Sequence, residues 1–231
     1  MKRTLIDYDR LELPTRKHGT TVLGVKRDGK VAMAADGQVT LGDMVVKHGA
    51  RKIRTMQDGQ IVVGFAGAVA DALTLLSKFE AQLKTWDGNL RKAAVELTKE
   101  WRTERYLRRL DAQLLVGGDD ALLMLSGEGD VIEPDDGVAA IGSGTPYAMA
   151  AARALMAHTT LDARAICAAA MEITSDLCIF TNDRFSVAVA GEQTNSNGDL
   201  PLPEATPPKD AGDDDETGDE SENDAEGEDR D

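Results

Sequence analysis

Three histidines and two cysteines limit the hydrolytic chemistry open to this 231-residue chain. His18, His48 and His158 stand far apart, with no HExxH and no paired Cys/His spacing, so a zinc site lacks ligands. A serine triad would have to borrow His48 or His158, and no GxSxG elbow is present. Gly142-Ser143-Gly144 is too short a match to carry one. The phosphate-cradling pattern GxxxxGKS/T is also missing, which leaves nucleotide chemistry unsupported on this chain. One chemistry remains that needs neither histidine nor metal. A threonine at a chain N-terminus can attack through its hydroxyl while its own α-amino group serves as the base.

That chemistry sets four requirements. The amine of a free N-terminus titrates near pH ~8, so a modest downward shift makes it a competent base at neutral pH. A buried cation nearby produces that shift by like-charge repulsion and also stabilises the developing alkoxide. The cation needs a carboxylate partner. A backbone N–H on a glycine-rich turn completes an oxyanion hole. Thr20 opens the strand-like run Thr20-Thr21-Val22-Leu23-Gly24-Val25 and becomes an N-terminus only if residues 1–19 are cut away.

The motifs that follow Thr20 come in a defined order. His18-Gly19-Thr20-Thr21-Val22 is followed by Ala35-Asp36-Gly37-Gln38-Val39-Thr40 and then by Arg51-Lys52-Ile53-Arg54. Next come Gly64-Phe65-Ala66-Gly67 with Ala70-Asp71, then Ile141-Gly142-Ser143-Gly144 and Cys178-Ile179-Phe180-Thr181-Asn182. Over about residues 20–185 this series resembles the HslV family, peptidase subunits of ATP-dependent proteases related to the proteasome β subunits. The resemblance implies that Thr20 is the nucleophile and, once freed, the base through its amine. It implies that Lys52 is the cation and that Asp36 holds it. It also makes Gly67 the oxyanion N–H donor and puts Ser143 beside the Thr20 amine. A sodium ion is implied too, held by backbone carbonyls at Ser175, Cys178 and Thr181, with Ser175 where the family often has glycine.

The same resemblance implies the N-terminal-nucleophile hydrolase fold, an α+β four-layer sandwich of helices, two antiparallel sheets and helices. It implies a homo-oligomer of two stacked hexameric rings with the sites inside a chamber. The partner ATPase, HslU, would bind the rings, activate them and thread unfolded protein substrates, and ATP would belong to HslU. No nucleic-acid or membrane partner is implied. Two alternatives stay open: a proteasome-type β subunit in heptameric rings, and a non-catalytic ring subunit that keeps its leader.

The elements that must position these residues follow from periodicity and turn chemistry. Asp28-Gly29 and Asp58-Gly59 are turn signals between strand-like runs, the second run after each being Lys30–Ala35 and Gln60–Gly67. A short strand is expected at Met44–Lys47. Apolar residues at helical spacing predict a helix over Val69–Lys84, and a charged, two-faced segment predicts a second over Leu90–Leu110. Strands are expected at Gln113–Val116, Ala121–Ser126, Val131–Glu133 and Val138–Gly142. A helix opened by Pro146 and another over Asp162–Thr174 come next, then strands at Cys178–Thr181 and Phe185–Ala190. Strand groups separated by helix pairs indicate antiparallel sheets covered by helices, not alternating βαβ units.

Charge divides the chain into a leader, 1–19, a peptidase domain, 20–190, and an acidic tail, 191–231. The net charge is −15, but Gly191–Asp231 alone carries 16 acidic and 2 basic residues, so the low isoelectric point describes the tail. With four prolines, two leucines and no aromatic residue, the tail has too little apolar surface to offset chain entropy and is expected to be disordered. Cys167 and Cys178 lack a CxxC spacing, which fits a reducing compartment, so a cytoplasmic location is expected. No apolar run reaches membrane-spanning length, and the first nineteen residues lack a signal-peptide core.

Overall fold

The computed structural model describes residues 20–107, 110–118, 121–126 and 129–192. The leader and residues 193–231 of the tail lie outside the described residues. The first sheet contains β1 (Thr21–Arg27), β2 (Lys30–Asp36), β10 (Val138–Gly142) and β11 (Phe185–Val189), in the order β10-β1-β2-β11 and antiparallel throughout. β1 and β2 form a hairpin closed by Asp28 and Gly29, at φ 52° and 75°, the two-residue turn whose twist suits flanking strands. The second sheet is a meander of β5 (Ile53–Met56), β6 (Ile61–Gly67), β7 (Ala112–Gly117), β8 (Leu122–Leu125) and β9 (Val131–Ile132). A separate hairpin, β3 (Val39–Leu41) with β4 (Met44–Lys47), stands beside them.

Strand alternation sorts the side chains into layers. Val22, Val31, Met33 and Ala35 point to the second sheet and pack with Val62, Leu115 and Ile141. Leu23, Val25, Ala32 and Ala34 point the other way, onto α3 (Thr145–His158) and α4 (Ala163–Leu177). On the far face, Val63, Phe65, Leu114 and Val116 meet α1 (Val69–Thr85) and α2 (Leu90–Thr103), with Phe79 and Trp101 fully buried between them. The chain is therefore a four-layer sandwich of helices, two antiparallel sheets and helices. Asn89 caps α2 by accepting from the Lys92 N–H at 2.9 Å, and Asp162 caps α4 by accepting from the Ala165 N–H at 2.8 Å.

Three local features differ from the sequence expectations. α2 ends at Thr103, not near residue 110, because Glu104 turns extended and sends Leu107 and Leu110 into the core. Cys178–Thr181 is a turn, not a strand: α4 runs on to Leu177, and the Thr181 N–H closes onto the Cys178 carbonyl at 2.9 Å. β3 is short, and its pairing is interrupted by a register shift between Val39 and Thr40, so it leaves little periodic signal.

Candidate active site

Several strand ends converge at one end of the sandwich. Thr21 at the head of β1 pairs with Gly142 at the end of β10, Asp36 ends β2 opposite Phe185, and Gly67 ends β6 opposite Ala112. Lys52 immediately precedes β5, and its carbonyl accepts the Phe65 N–H at 3.1 Å, which locks it beside β6. Thr20 shares the strand parity of Val22, so its side chain faces the inter-sheet side and not the α3–α4 layer. Thr20 and Lys52, 6% and 4% exposed, line one cleft of about 540 Å³ together with Phe65 and Gly67.

Asp36 organises this end. It is fully buried, and its Oδ1 accepts both the Lys52 Nζ proton at 2.8 Å and the Thr21 N–H at 2.8 Å. Its Oδ2 accepts the Gln38 N–H at 2.8 Å. One carboxylate thus fixes the cation and the backbone just after the candidate nucleophile. The turn that follows Asp36 is held by Asn182, whose side-chain oxygen accepts the Gly37 N–H at 3.1 Å while its amide donates to the His48 carbonyl at 3.0 Å.

Burial pushes the Lys52 ammonium below the ordinary lysine value, and the charge and hydrogen bond of Asp36 oppose that shift without cancelling it. A lowered lysine is protonated below its shifted value and neutral above it. With Lys52 as the cation that the sequence resemblance implies, the rate of hydrolysis is expected to fall on the alkaline side at a pH lower than an exposed lysine would give. A pH–rate profile extended into the lysine range checks this; an alkaline arm at the ordinary lysine value contradicts it.

Two glycines shape the backbone around Thr20: Gly67 lines the same cleft, and Gly142 lies in the turn that meets the Thr20 carbonyl. Gly67 sits at φ 108°, and a Cβ there would lie 2.3 Å from the Asp111 carbonyl oxygen. Both facts exclude a side chain, and Gly67→Ala is expected to cost roughly 1–3 kcal/mol in backbone strain alone. Thermal unfolding should register the loss, together with reduced activity; an unchanged melting temperature would mean that the turn relaxes freely. Gly142, at φ 91°, lets the chain fold back so that the Ser143 N–H donates to the Thr20 carbonyl at 2.7 Å. Ser143 is thereby brought to Thr20 through its backbone.

The positions expected to hold a cation lie at the end of α4 and in the turn after it. Ser175 is in the last helical turn, where carbonyls run out of intrahelical donors, and Cys178 and Thr181 bracket the turn. The Cys178 carbonyl takes one hydrogen bond from Thr181 and keeps a second lone pair. Oxygen donors at a helix C-terminus suit a hard cation, so these residues fit such an ion. In the sequence Thr21 and Gln38 stand only as members of their local runs, and the structure joins both to the turn after α4. The Thr21 hydroxyl lies 2.6 Å from the Thr181 hydroxyl, and the Gln38 amide donates to the Ile179 carbonyl at 3.0 Å. A polar residue on a strand face otherwise filled by Leu23 and Val25 was the available signal for Thr21.

Residues 16–190 match the Proteasome subunit family. The ATP-dependent protease subunit HslV of Pseudothermotoga lettingae is 61% identical over 168 residues, covering 73% of this chain and 96% of the relative. Its counterpart from Syntrophobacter fumaroxidans is 56% identical over 169 residues, covering 73% and 94%. The chain belongs to the HslV family. Among solved structures, eukaryotic HslV from Trypanosoma brucei superposes with a TM-score of 0.70 at 45% identity, covering 73% of this chain and 98% of that one. Thiobacillus denitrificans BPH, solved in complex with Epoxomicin, has a TM-score of 0.57 at 21% identity over 73% of this chain and 97% of its own; it shares the fold. HslV relatives are thus matched over almost their whole length, and about a quarter of this chain lies outside the match.

Proposed function

We propose that this HslV-family chain is the proteolytic subunit of an ATP-dependent protease, a threonine endopeptidase with Thr20 as its N-terminal nucleophile. The observation that carries the reading is the buried Lys52–Asp36 pair, 2.8 Å apart, in the cleft that Thr20 enters from β1. The chain first frees itself. The Thr20 hydroxyl attacks the Gly19 carbonyl, the acyl group passes from nitrogen to oxygen, and water hydrolyses the ester. The leader then leaves and the Thr20 amine is free.

On a substrate, the amine takes the hydroxyl proton as oxygen attacks the scissile carbonyl. Lys52 stabilises the charge on the attacking oxygen and keeps the neighbouring amine neutral by repulsion. The Gly67 N–H receives the oxyanion, Ser143 orients the amine, and Asp36 keeps Lys52 aimed. The proton passes to the leaving amine, an ester to Thr20 remains, and water releases the second product. A sodium ion on the carbonyls of Ser175, Cys178 and Thr181 would supply a fixed charge that stiffens the turn under the site.

The assembly we propose is two stacked hexameric rings that enclose the sites, opened to unfolded polypeptides by HslU. Enclosure is the physical safeguard for a peptidase with broad preference. Among the described residues no helix is long and apolar enough to cross a membrane. Cys167 and Cys178 are free, which supports a reducing cytoplasm as the place of action. The test is the intact mass of the assembled, active protein. Loss of residues 1–19 is expected; an active ring that retains them on every chain overturns the mechanism, and electron microscopy that counts seven subunits per ring overturns the assembly.

A further inference from the structure

We propose that the Thr21 hydroxyl is a positioning group for the Thr20 nucleophile, holding it through the turn that carries Ser143. The inference rests on the reading of Thr20 as nucleophile. A nucleophile at a chain terminus is tethered covalently on one side only. Its place in the site depends on what grips its own carbonyl and the residue after it. Two grips hold backbone groups and are already described: Ser143 N–H to the Thr20 carbonyl at 2.7 Å, and Thr21 N–H to the Asp36 carboxylate at 2.8 Å.

The third grip is a side chain. Strand parity turns Thr21 away from the cleft, toward α3 and α4, where Leu23 and Val25 are buried on the same face. Valine would fill that volume, yet the residue is threonine and is fully buried. Its Oγ1 accepts the Gly144 N–H at 3.0 Å and lies 2.6 Å from Thr181 Oγ1, itself 4% exposed. A Cβ on Gly144 would approach Thr21 Oγ1 to 2.1 Å, so the turn is seated directly on that oxygen. Gly144 also opens α3 as its N-cap.

These bonds close a ring. Thr20 leads covalently to Thr21, whose hydroxyl holds Gly144; the preceding residue, Ser143, returns through its N–H to Thr20. Thr181 ties the same oxygen to the turn after α4. Removing the hydroxyl leaves the Gly144 N–H without its acceptor in a buried site and lets the Gly142–Gly144 turn shift. A displacement of about 1 Å at a reacting group costs on the order of 10²-fold in rate. Substrate contacts are untouched, because Thr21 faces the other side of the sheet.

The test is steady-state hydrolysis of a short fluorogenic peptide by the processed rings of Thr21→Val and Thr21→Ser, with cleavage after Gly19 checked by intact mass. Thr21→Val is expected to lose about 10- to 100-fold in kcat with KM within about twofold, and Thr21→Ser to stay within about threefold of the unaltered protein. If Thr21→Val fails to assemble or to lose its leader, Thr21→Ala removes the same hydroxyl with a smaller side chain, and the same loss relative to Thr21→Ser is expected. Thr21→Val with unchanged kcat overturns the inference. So does Thr21→Ser as impaired as Thr21→Val, or Thr21→Ala with unchanged kcat. Wild-type hydrolysis by Thr20→Ala would instead remove the nucleophile reading, so the two failures are distinguishable.

Discussion

Thr20→Ala is expected to lose at least ~10⁴-fold in kcat toward a short peptide while keeping its fold. The loss follows from the chemistry: without the hydroxyl there is no covalent intermediate, and the remaining site can only polarise a carbonyl. Retention of fold follows from the contacts. The Thr20 carbonyl accepts from Ser143 through the backbone, and the buried side-chain bonds of Thr21 stay in place in the variant. A second readout is independent of substrate. If Thr20 cuts its own leader, the Ala variant keeps residues 1–19, and intact mass shows it. Thr20→Ser retains a hydroxyl and is expected to be processed and partly active. Hydrolysis by Thr20→Ala at the unaltered rate would exclude Thr20 as the nucleophile.

Much of the framework was legible in the residues themselves. Asp28-Gly29 announces a hairpin by chemistry that few other dipeptides satisfy, and the runs on either side of it read as the strands β1 and β2. A helix such as Val69–Thr85 was readable because Ala72, Leu76, Phe79 and Leu83 agree on one face. What was not readable depends on distant partners. Nothing local says that Leu107 and Leu110 leave the helix for the core, since charges on either side suit a solvated helix equally well. The turn at Cys178–Thr181 has strand-like composition, and only the N–H that closes onto Cys178 reveals it. For the site, Asp36 and Lys52 are sixteen residues apart, and their ion pair exists because β2 ends where β5 begins. Thr21 was hidden for the same reason: its partners Gly144 and Thr181 lie more than a hundred residues away.

Lys52→Ala is expected to lower kcat by ~10³-fold or more, from two separate causes. The first is removal of the buried charge assigned to the attacking oxygen; deleting a single preorganised donor costs ~10²–10³-fold in characterised enzymes. The second is the amine of Thr20, whose affinity for a proton rises when the neighbouring cation goes, so less of it is the free base at neutral pH. Stability should fall as well. Asp36 is fully buried and would keep the Thr21 and Gln38 N–H donors but lose the ammonium, and breaking a buried pair from one side costs roughly 3–5 kcal/mol. Asp36→Asn separates the causes. Its oxygen can still face Thr21 and Lys52, but its amide would point at the Gln38 N–H, donor against donor. Without the carboxylate, burial acts on Lys52 unopposed and lowers its pKa further. The alkaline fall in rate should then move to lower pH in Asp36→Asn, an effect that a merely loosened fold does not produce. A tenfold or smaller loss in Lys52→Ala, or an alkaline arm in Asp36→Asn that stays where it was, would mean that the charge acting on Thr20 comes from elsewhere in the cleft, where Lys47, Arg51 and Arg54 also stand.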